Sequence, residues 1–293
     1  MENINGVIVI NKDKGFTSHD VVNVIRKIYS IRKVGHTGTL DPDATGVLPV
    51  CIGKGTKLAD MLTFSDKSYI ARVRLGLTTD TQDISGQVLT ESKVNVSEAE
   101  LLGAVSEYTG EIEQVPPMYS ALKVNGQKLC DLARKGVEVE RKPRKINIYS
   151  AEVSSFDGVE FNLSVHCSKG TYIRTLCHDI GQHLGCGAVM TELQRTQSSC
   201  FTLDNAYTLS ELKSMSEDEL RLALMPIDSV FADYEALYID DNVRKRLCNG
   251  ALCYVKAQEG VYRVYGRDGA FLCIGEVKSD GSKNILKSQK SFY

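Results

Sequence analysis

"GHTGTLDPDATGVLPV" (residues 35–50) joins two kinds of sequence that do not share a conformation. Its first twelve residues hold three glycines, three threonines, two aspartates and one proline. Glycine and proline punctuate a chain, and threonine and aspartate favour turns, so this part reads as a loop. The apolar run that follows, "VLPVCIG", reads as a core segment. A small polar loop feeding straight into the core uses its backbone or its carboxylates for something. Asp41, between Leu40 and Pro42, sits where the proline ring limits backbone freedom. Asp43 is the rival carboxylate, and residue types alone do not choose between them.

Upstream, "GVIVINK" (6–12) reads as a buried strand. "SHDVVNVIRKIY" (18–29) has apolar residues at 21, 22, 25, 28 and 29, a helical spacing, with Ser18 as N-cap and Asp20 in the first turn. Downstream, "GKGTK" (53–57) lacks the spacing of a nucleotide-binding loop and reads as a turn and helix start. "SYIARVRLGLTTDTQD" (68–83) begins as an alternating strand with Tyr69, Ala71, Val73 and Leu75 on one face, then turns. Residues 101–145 read as an inserted module. In it, "QVPPMYSALKV" cannot be helical, "NG" (125–126) marks a tight turn, and "QKLCDLARKG" is a short helix closed by Gly136. "VEFNLSVHC" (159–167) alternates as a strand, and "TYIRTLCHDIGQHLG" (171–185) is a helix capped by Thr171 and ended by Gly185. From about residue 243, short strands and glycine turns predict a small all-β module.

The chain has 293 residues, 42% hydrophobic and 25% charged, as in an ordinary soluble protein. No apolar run approaches the roughly 20 residues that span a membrane, and "MENINGVIVINK" predicts no signal peptide. Nine cysteines without a C-x-x-C pair predict scattered, mostly buried thiols in a reducing cytosol, and hence a cytoplasmic protein. The net charge of −2 hides a strong asymmetry. Residues 123–145 carry eight bases against three acids, and residues 243–293 carry ten against four, whereas residues 201–242 carry two bases and ten acids. Patches rather than totals attract phosphate, so the two basic regions point to nucleic acid.

Two sharper readings of the residues fail on spacing. Asp41-Pro-Asp43-Ala-Thr45 fits the letters of an aspartyl phosphotransferase, but that nucleophile follows an apolar strand, and here the lead-in is "GHTGTL". His166, Cys167, Cys177, His178, His183 and Cys186 suggest a metal site, but no two of these cysteines have C-x₂₋₄-C spacing, and His178 and His183 do not share a helix face. Three features stand out together: the Asp41 loop, a tyrosine at a strand start among bases in "KSYIARVRLG", and Tyr172 and Arg174 in the first turn of a helix in "CSKGTYIRT".

Those three segments, in that order, together with "QVPPMYSALKVNGQKL" and "CGAVMTELQRT", closely resemble bacterial tRNA pseudouridine-55 synthases of the TruB type. The likeness is strong from residue 6 to about 200 and loose beyond, and Cys130 stands where the family commonly has a tyrosine. The resemblance implies an α/β (α+β) pseudouridine synthase fold: a mixed, largely antiparallel sheet with flanking helices. A catalytic domain over 1–228 would carry a basic thumb at about 101–145, and a small PUA-like β module would follow over 229–293. It implies isomerisation of uridine 55 in the T-loop of tRNA, with no cofactor, no metal, no membrane association and no obligate protein partner, by a monomer. It resolves the choice of carboxylate to Asp41 as the catalytic group. Arg174 would pair with it, a guanidinium beside a carboxylate favouring its charged form. Tyr69 would stack on the flipped base and serve catalysis. Tyr172 and Leu193 would contact the target nucleotide, His36 would fill the space the base leaves, and Lys12 would lie near the active site. The rival reading from another class is a non-catalytic RNA-binding or tRNA-folding protein on the same fold, and an accompanying folding role is compatible with catalysis.

Overall fold

The computed structural model describes residues 4–293. The chain opens with β1 (Gly6–Lys12), whose seven residues run through the core, and α1 (Ser18–Ile28) follows. The helix buries Val21, Val22 and Ile25. Its cap is Thr17 rather than Ser18: Thr17 accepts from the Asp20 N–H while Asp20 accepts from the Thr17 N–H. Ser18 is diverted to the polar loop instead. β2 (Val34–His36) and β3 (Thr45–Ile52) flank that loop, and a 3₁₀ turn (Gly53–Leu58) runs into the short α2 (Ala59–Thr63). β4 (Lys67–Leu75) alternates as its pattern predicts, burying Ala71, Val73 and Leu75. The small hairpin β5 (Leu77–Thr79) and β6 (Val88–Glu91) and the helix α3 (Glu98–Ser106) lead to β7 (Gly110–Gln114).

The segment 101–145 does not leave the sheet where the sequence suggested. α3 puts Leu101, Ala104 and Val105 into the core, and β7 pairs with the start of β10 (Arg144–Ser154), from Arg144 opposite Gln114 to Ile148 opposite Gly110. Only about 115–143 stands off. It carries the two-residue hairpin β8 (Lys123–Val124) and β9 (Gln127–Lys128), then α4 (Leu129–Ala133). Asn125 (φ 50°) and Gly126 (φ 82°) turn that hairpin with both central residues left-handed, the backbone that "NG" supplies at least cost.

β10 pairs with β11 (Glu160–Cys167), and α5 (Ile173–His183) returns the chain to β12 (Ala188–Ser198), extended by β13 (Phe201–Thr202). The sheet order is β1-β3-β12-β4-β11-β10-β7, with β2 and β13 attached to β3 and β12. Every pairing is antiparallel except β12 with β3, where Gln194 lies opposite Thr45 and Arg195 opposite Gly46. One face of β4, β11 and β10 packs on α3 and α5. A second core forms where α1 and the helices α6 (Leu209–Ser214) and α7 (Glu217–Leu222) cover β1 and β3.

The strands of the C-terminal module begin before residue 243, where the strand pattern becomes visible in the sequence, and the module is not all β. β14 (Glu235–Ile239) pairs in parallel with β16 (Gly260–Gly266), so a crossover is needed, and α8 (Asp241–Cys248) supplies it. β15 (Cys253–Val255), β17 (Phe271–Ser279) and β18 (Asn284–Ser291) complete the order β14-β16-β17-β18-β15. Ile274 and Phe292 of this module join Val7, Val9, Val47 and Cys51 in a third core on the other face of β1 and β3. The Lys57 ammonium donates to the Ser291 carbonyl at 2.8 Å across that joint. All nine cysteines are free thiols, and six are buried.

Candidate active site

The polar loop lies at the junction of the first two cores, and its shape follows from what holds it. The Lys12 ammonium at the end of β1 donates to three carbonyls, those of Asp13 (3.0 Å), Phe16 (2.7 Å) and Pro42 (3.1 Å). Ser18 accepts from the Leu40 N–H at 2.9 Å and donates to the Leu40 carbonyl at 3.1 Å. The Gly15 N–H donates to the Pro42 carbonyl, and the Ala44 N–H closes a turn onto the Asp41 carbonyl. The backbone on both sides of Asp41 is thus anchored to β1 and α1. Asp41 is left as the half-open carboxylate of the loop, and Asp43 faces solvent.

The first turn of α5 meets that carboxylate. The buried guanidinium of Arg174 donates to Asp41 Oδ2 and, at 3.3 Å, to Asp83 Oδ2. Asp83 belongs to the turn after β5, which uses the other carboxylate oxygen internally: Thr81 donates to Oδ1 at 2.8 Å and the Ser85 N–H at 3.1 Å. One oxygen therefore remains for Arg174. Tyr172, the residue before the helix, has no side-chain cap of its own, and Thr171 donates instead to the Ser168 carbonyl. The buried amide of Gln114, at the end of β7, takes the capping place. It accepts from the Tyr172 N–H at 2.8 Å and donates to the Tyr172 carbonyl at 3.0 Å.

Tyr69 enters from β4 and Leu193 from β12, and both side chains pack against the two cores. Burial pushes the Tyr69 phenol up, while the Arg195 guanidinium beside it pulls in the opposite direction. Arg195 lies opposite Tyr69 in the β12–β4 register and is 1% exposed. It donates to the Val47 carbonyl at 2.7 Å and to the Gly38 carbonyl at 3.3 Å. Lys67, also buried at the start of β4, is pulled down to about 8, first by burial and then by Arg195. His36 accepts from the Gly38 N–H at 3.3 Å on Nδ1, and burial followed by Arg195 favours its neutral form. Burial lifts the Tyr172 phenol in turn.

The structure therefore brings Asp41, Arg174, Tyr69, Tyr172, Leu193 and His36 into one region. Lys12 is the exception: it is 0% exposed and its three donors are spent on backbone, so it supports the loop from behind rather than facing a ligand. Three further residues at the site, Asp83, Gln114 and Arg195, carry no sequence signal that singles them out. The "TTDTQD" turn marks the Asp83 region without its partner. Arg195 lies within "CGAVMTELQRT", but nothing local distinguishes a buried arginine from a solvated one. Among the described residues no group of His, Cys, Asp or Glu is arranged to hold a metal ion, so the histidine and cysteine cluster weighed above does not assemble. The arrangement offers an oriented carboxylate, a fixed guanidinium and an aromatic phenol close together, backed by the buried cations Lys67 and Arg195.

Comparison with known proteins identifies the family. Residues 26–173 match the TruB family pseudouridylate synthase N-terminal domain, and residues 174–232 match the tRNA pseudouridylate synthase B C-terminal domain. A tRNA pseudouridine synthase B of Clostridium tetani is 44% identical over 290 residues, covering 96% of this chain and 99% of the relative. One from Clostridium novyi is 45% identical over 286 residues, covering 96% and 98%. A solved chain from a Cbf5-Nop10-Gar1 complex superposes with a TM-score of 0.74 at 28% identity, covering 98% of this chain and 85% of that one. A chain from an archaeal box H/ACA sRNP Nop10-Cbf5 complex gives a TM-score of 0.71 at 26% identity, covering 98% and 86%. Matched over most of its length in sequence and in fold, the chain belongs to the TruB family of tRNA pseudouridine synthases, a family of isomerases.

Proposed function

We infer that this chain isomerises uridine 55 in the T-loop of tRNA to pseudouridine. The observation that carries the reading is the Asp41–Arg174 pair: a loop carboxylate, anchored on both sides by backbone bonds and oriented by a buried guanidinium, beside the Tyr69 phenol. Such a base is unreachable inside a folded loop, so it is flipped into the pocket. There it is detached from the sugar at nitrogen, turned, and rejoined at carbon. Asp41 either attacks the sugar carbon as a nucleophile, displacing the uracil, or assists the elimination that forms a glycal, with the sugar proton passing to a base such as Tyr69. Tyr69 stacks on the uracil and is placed to take a sugar proton. Tyr172 and Leu193 hold the nucleotide, and His36, favoured neutral, occupies the space the base vacates. The segment 115–143 acts as a basic thumb on the tRNA backbone, and the module from residue 235 acts as a PUA-like RNA-binding unit.

The test is Asp41→Asn with Asp43→Asn as control, assayed by mass spectrometry of a tRNA transcript after incubation. The amide keeps the shape and removes the charge that makes the nucleophile. Affinity comes mainly from phosphate contacts and stacking, so tRNA binding stays within several-fold of wild type. Because the substitution leaves Arg174 with less compensation in a buried place, the melting temperature is measured alongside. A dead Asp43→Asn variant, or a folded Asp41→Asn protein that still makes pseudouridine at a comparable rate, overturns the assignment.

A further inference from the structure

At the start of β4 the two faces of the sheet part company. Tyr69 and Ala71 turn toward α5 and the candidate site, while Ser68 and Ile70 turn the other way. On that second face Tyr149 and His166 lie exposed, and just beyond the strand ends so do Phe64 and Lys169, four side chains that nothing in the catalytic reading uses. Phe64, just after α2, is 61% exposed, and the Lys169 ammonium sits 3.5 Å from its ring centroid. Tyr149 is 45% exposed, and its ring lies 4.9 Å from that of His166, tilted by 49°. Tyr149 occupies a bulge: β10 shifts register against β11 between Ile148 and Ser150, and Tyr149 is the residue left out of the ladder. A bulge re-aims a side chain. The Tyr149 hydroxyl donates to Asp66 Oδ1 at 3.2 Å, which fixes the ring. His166 lies opposite Ser68 on β4.

The patch is also tied to the site through short stretches of chain. Phe64 precedes Tyr69 by five residues, and Lys169 precedes Tyr172 by three and Arg174 by five. Tyr149 shares β10 with the exposed Arg144, whereas the neighbouring Lys145 is paired with Glu111 at 2.8 Å. Fixed aromatic rings beside cations are the combination that takes unpaired nucleotides, the ring stacking on a base and the cation meeting the adjacent phosphate. We propose that Phe64, Tyr149, His166 and Lys169 form a second stacking platform that holds an unpaired nucleotide of the substrate RNA flanking the target uridine. The platform rests on the RNA-modifying reading above. It adds affinity and fixes the strand's exit from the cleft, and it takes no part in the chemistry.

The experiment uses the full chain and a T-arm hairpin RNA with 4-thiouridine placed at each unpaired loop position in turn. Photocrosslinks are mapped by mass spectrometry, and Kd and saturated turnover are measured for Phe64→Leu, Tyr149→Leu and the double variant. Loss of a stacked base raises Kd by about fivefold or more for each single variant, and further for the double, with saturated turnover within about twofold of wild type. One flanking position then crosslinks to peptides containing Phe64, Tyr149 or His166. Both Phe64 and Tyr149 are exposed, so the variants keep the wild-type melting temperature. Tyr149→Phe keeps the ring and binds better than Tyr149→Leu. Unchanged Kd values in the double variant, or crosslinks that map only to other peptides, overturn the platform. A wild-type chain that leaves the uridine unconverted refutes the catalytic reading alone, because Kd and crosslinks still decide the platform.

Discussion

Arg174 serves two carboxylates at once, and that division sets the position of Asp41. Asp83 holds one arm of the guanidinium, which leaves the other aimed at the loop. In Asp83→Asn the guanidinium loses a charged anchor and the carboxylate it orients drifts. Misplacement of a reacting group by about an ångström can cost a hundredfold, so kcat is expected to fall by about 10- to 100-fold with KM near wild type. Steady-state kinetics decide this, and an unaltered kcat would reduce Asp83 to a structural contact. Tyr69 is a second case. Tyr69→Phe keeps the ring and its packing against two cores, so RNA binding is retained. If the phenol takes a proton, turnover drops steeply, and wild-type turnover in the Phe variant would leave only stacking. Asp41, Tyr69 and Arg174 stand out as local features, a Pro-flanked loop, a strand start and a helix first turn, but only the family resemblance gave them roles, because residue types alone do not separate Asp41 from Asp43. Asp83, Gln114 and Arg195 do not stand out, because their roles lie wholly in partners far along the chain: Asp83 meets Arg174, Gln114 meets Tyr172, and Arg195 meets Val47.

Among the elements, β3 and β12 meet in the sheet's parallel pair, and Gly46 makes that meeting possible. Its φ is +99°, and a Cβ there would stand 2.2 Å from the Arg195 carbonyl oxygen. Gly46→Ala therefore forces β12 away from the loop and strains the backbone, at about 1–3 kcal/mol or more. A lowered melting temperature with reduced activity is expected, and a variant as stable as wild type would show that the two strands can separate freely. The helix α5 carries a pH dependence of its own. Burial pushes the Asp179 carboxyl up to about 6, above the roughly 3.9 of an unfolded chain. The folded state therefore binds that proton more tightly, so the stability it contributes is full below about pH 4 and is lost as pH rises through about 6. Asp179→Asn removes this loss. Its melting temperature should exceed that of wild type at pH 7.5 and converge with it near pH 4. A constant offset across that range would assign the effect to packing instead.

At the scale of the whole molecule, a net charge of −2 coexists with strongly basic local regions. On the thumb, Lys123, Lys128 and Lys135 surround a cavity of about 370 Å³ with Asp131 as the one acid in its lining. Arg141 looks equally suited in sequence, but it donates to the Pro116 carbonyl at 3.2 Å and to Glu138 at 2.9 Å, so it holds the thumb together. Replacing Lys123, Lys128 and Lys135 by alanine should weaken tRNA binding. It should also flatten the slope of log affinity against log salt by about 0.7–0.9 for each phosphate no longer neutralised. Binding titrations across a salt series measure it, and an unchanged slope would move the interface elsewhere. The C-terminal module is anchored through the third core, so its basic surface keeps a set relation to the cleft.

Local rules carried the amino-acid sequence a long way. Periodicity placed β1, α1, β4, β11 and α5, and "NG" placed the hairpin turn, because side-chain alternation, helical spacing and left-handed turn residues act over a few residues. The same locality explains the misreadings. Ser18 looks like a helix cap until Leu40, 22 residues away, claims its hydroxyl. Residues 101–114 look like part of an insertion until β7 finds the edge of β10. β14 is lost in an acidic stretch because its partner β16 lies beyond a helix. Only the tertiary structure decided which carboxylates share Arg174, and that a buried Lys12 spends its donors on the loop backbone. Those outcomes depend on pairings between distant segments, where burial turns a hydrogen bond or a charge from optional into obligatory.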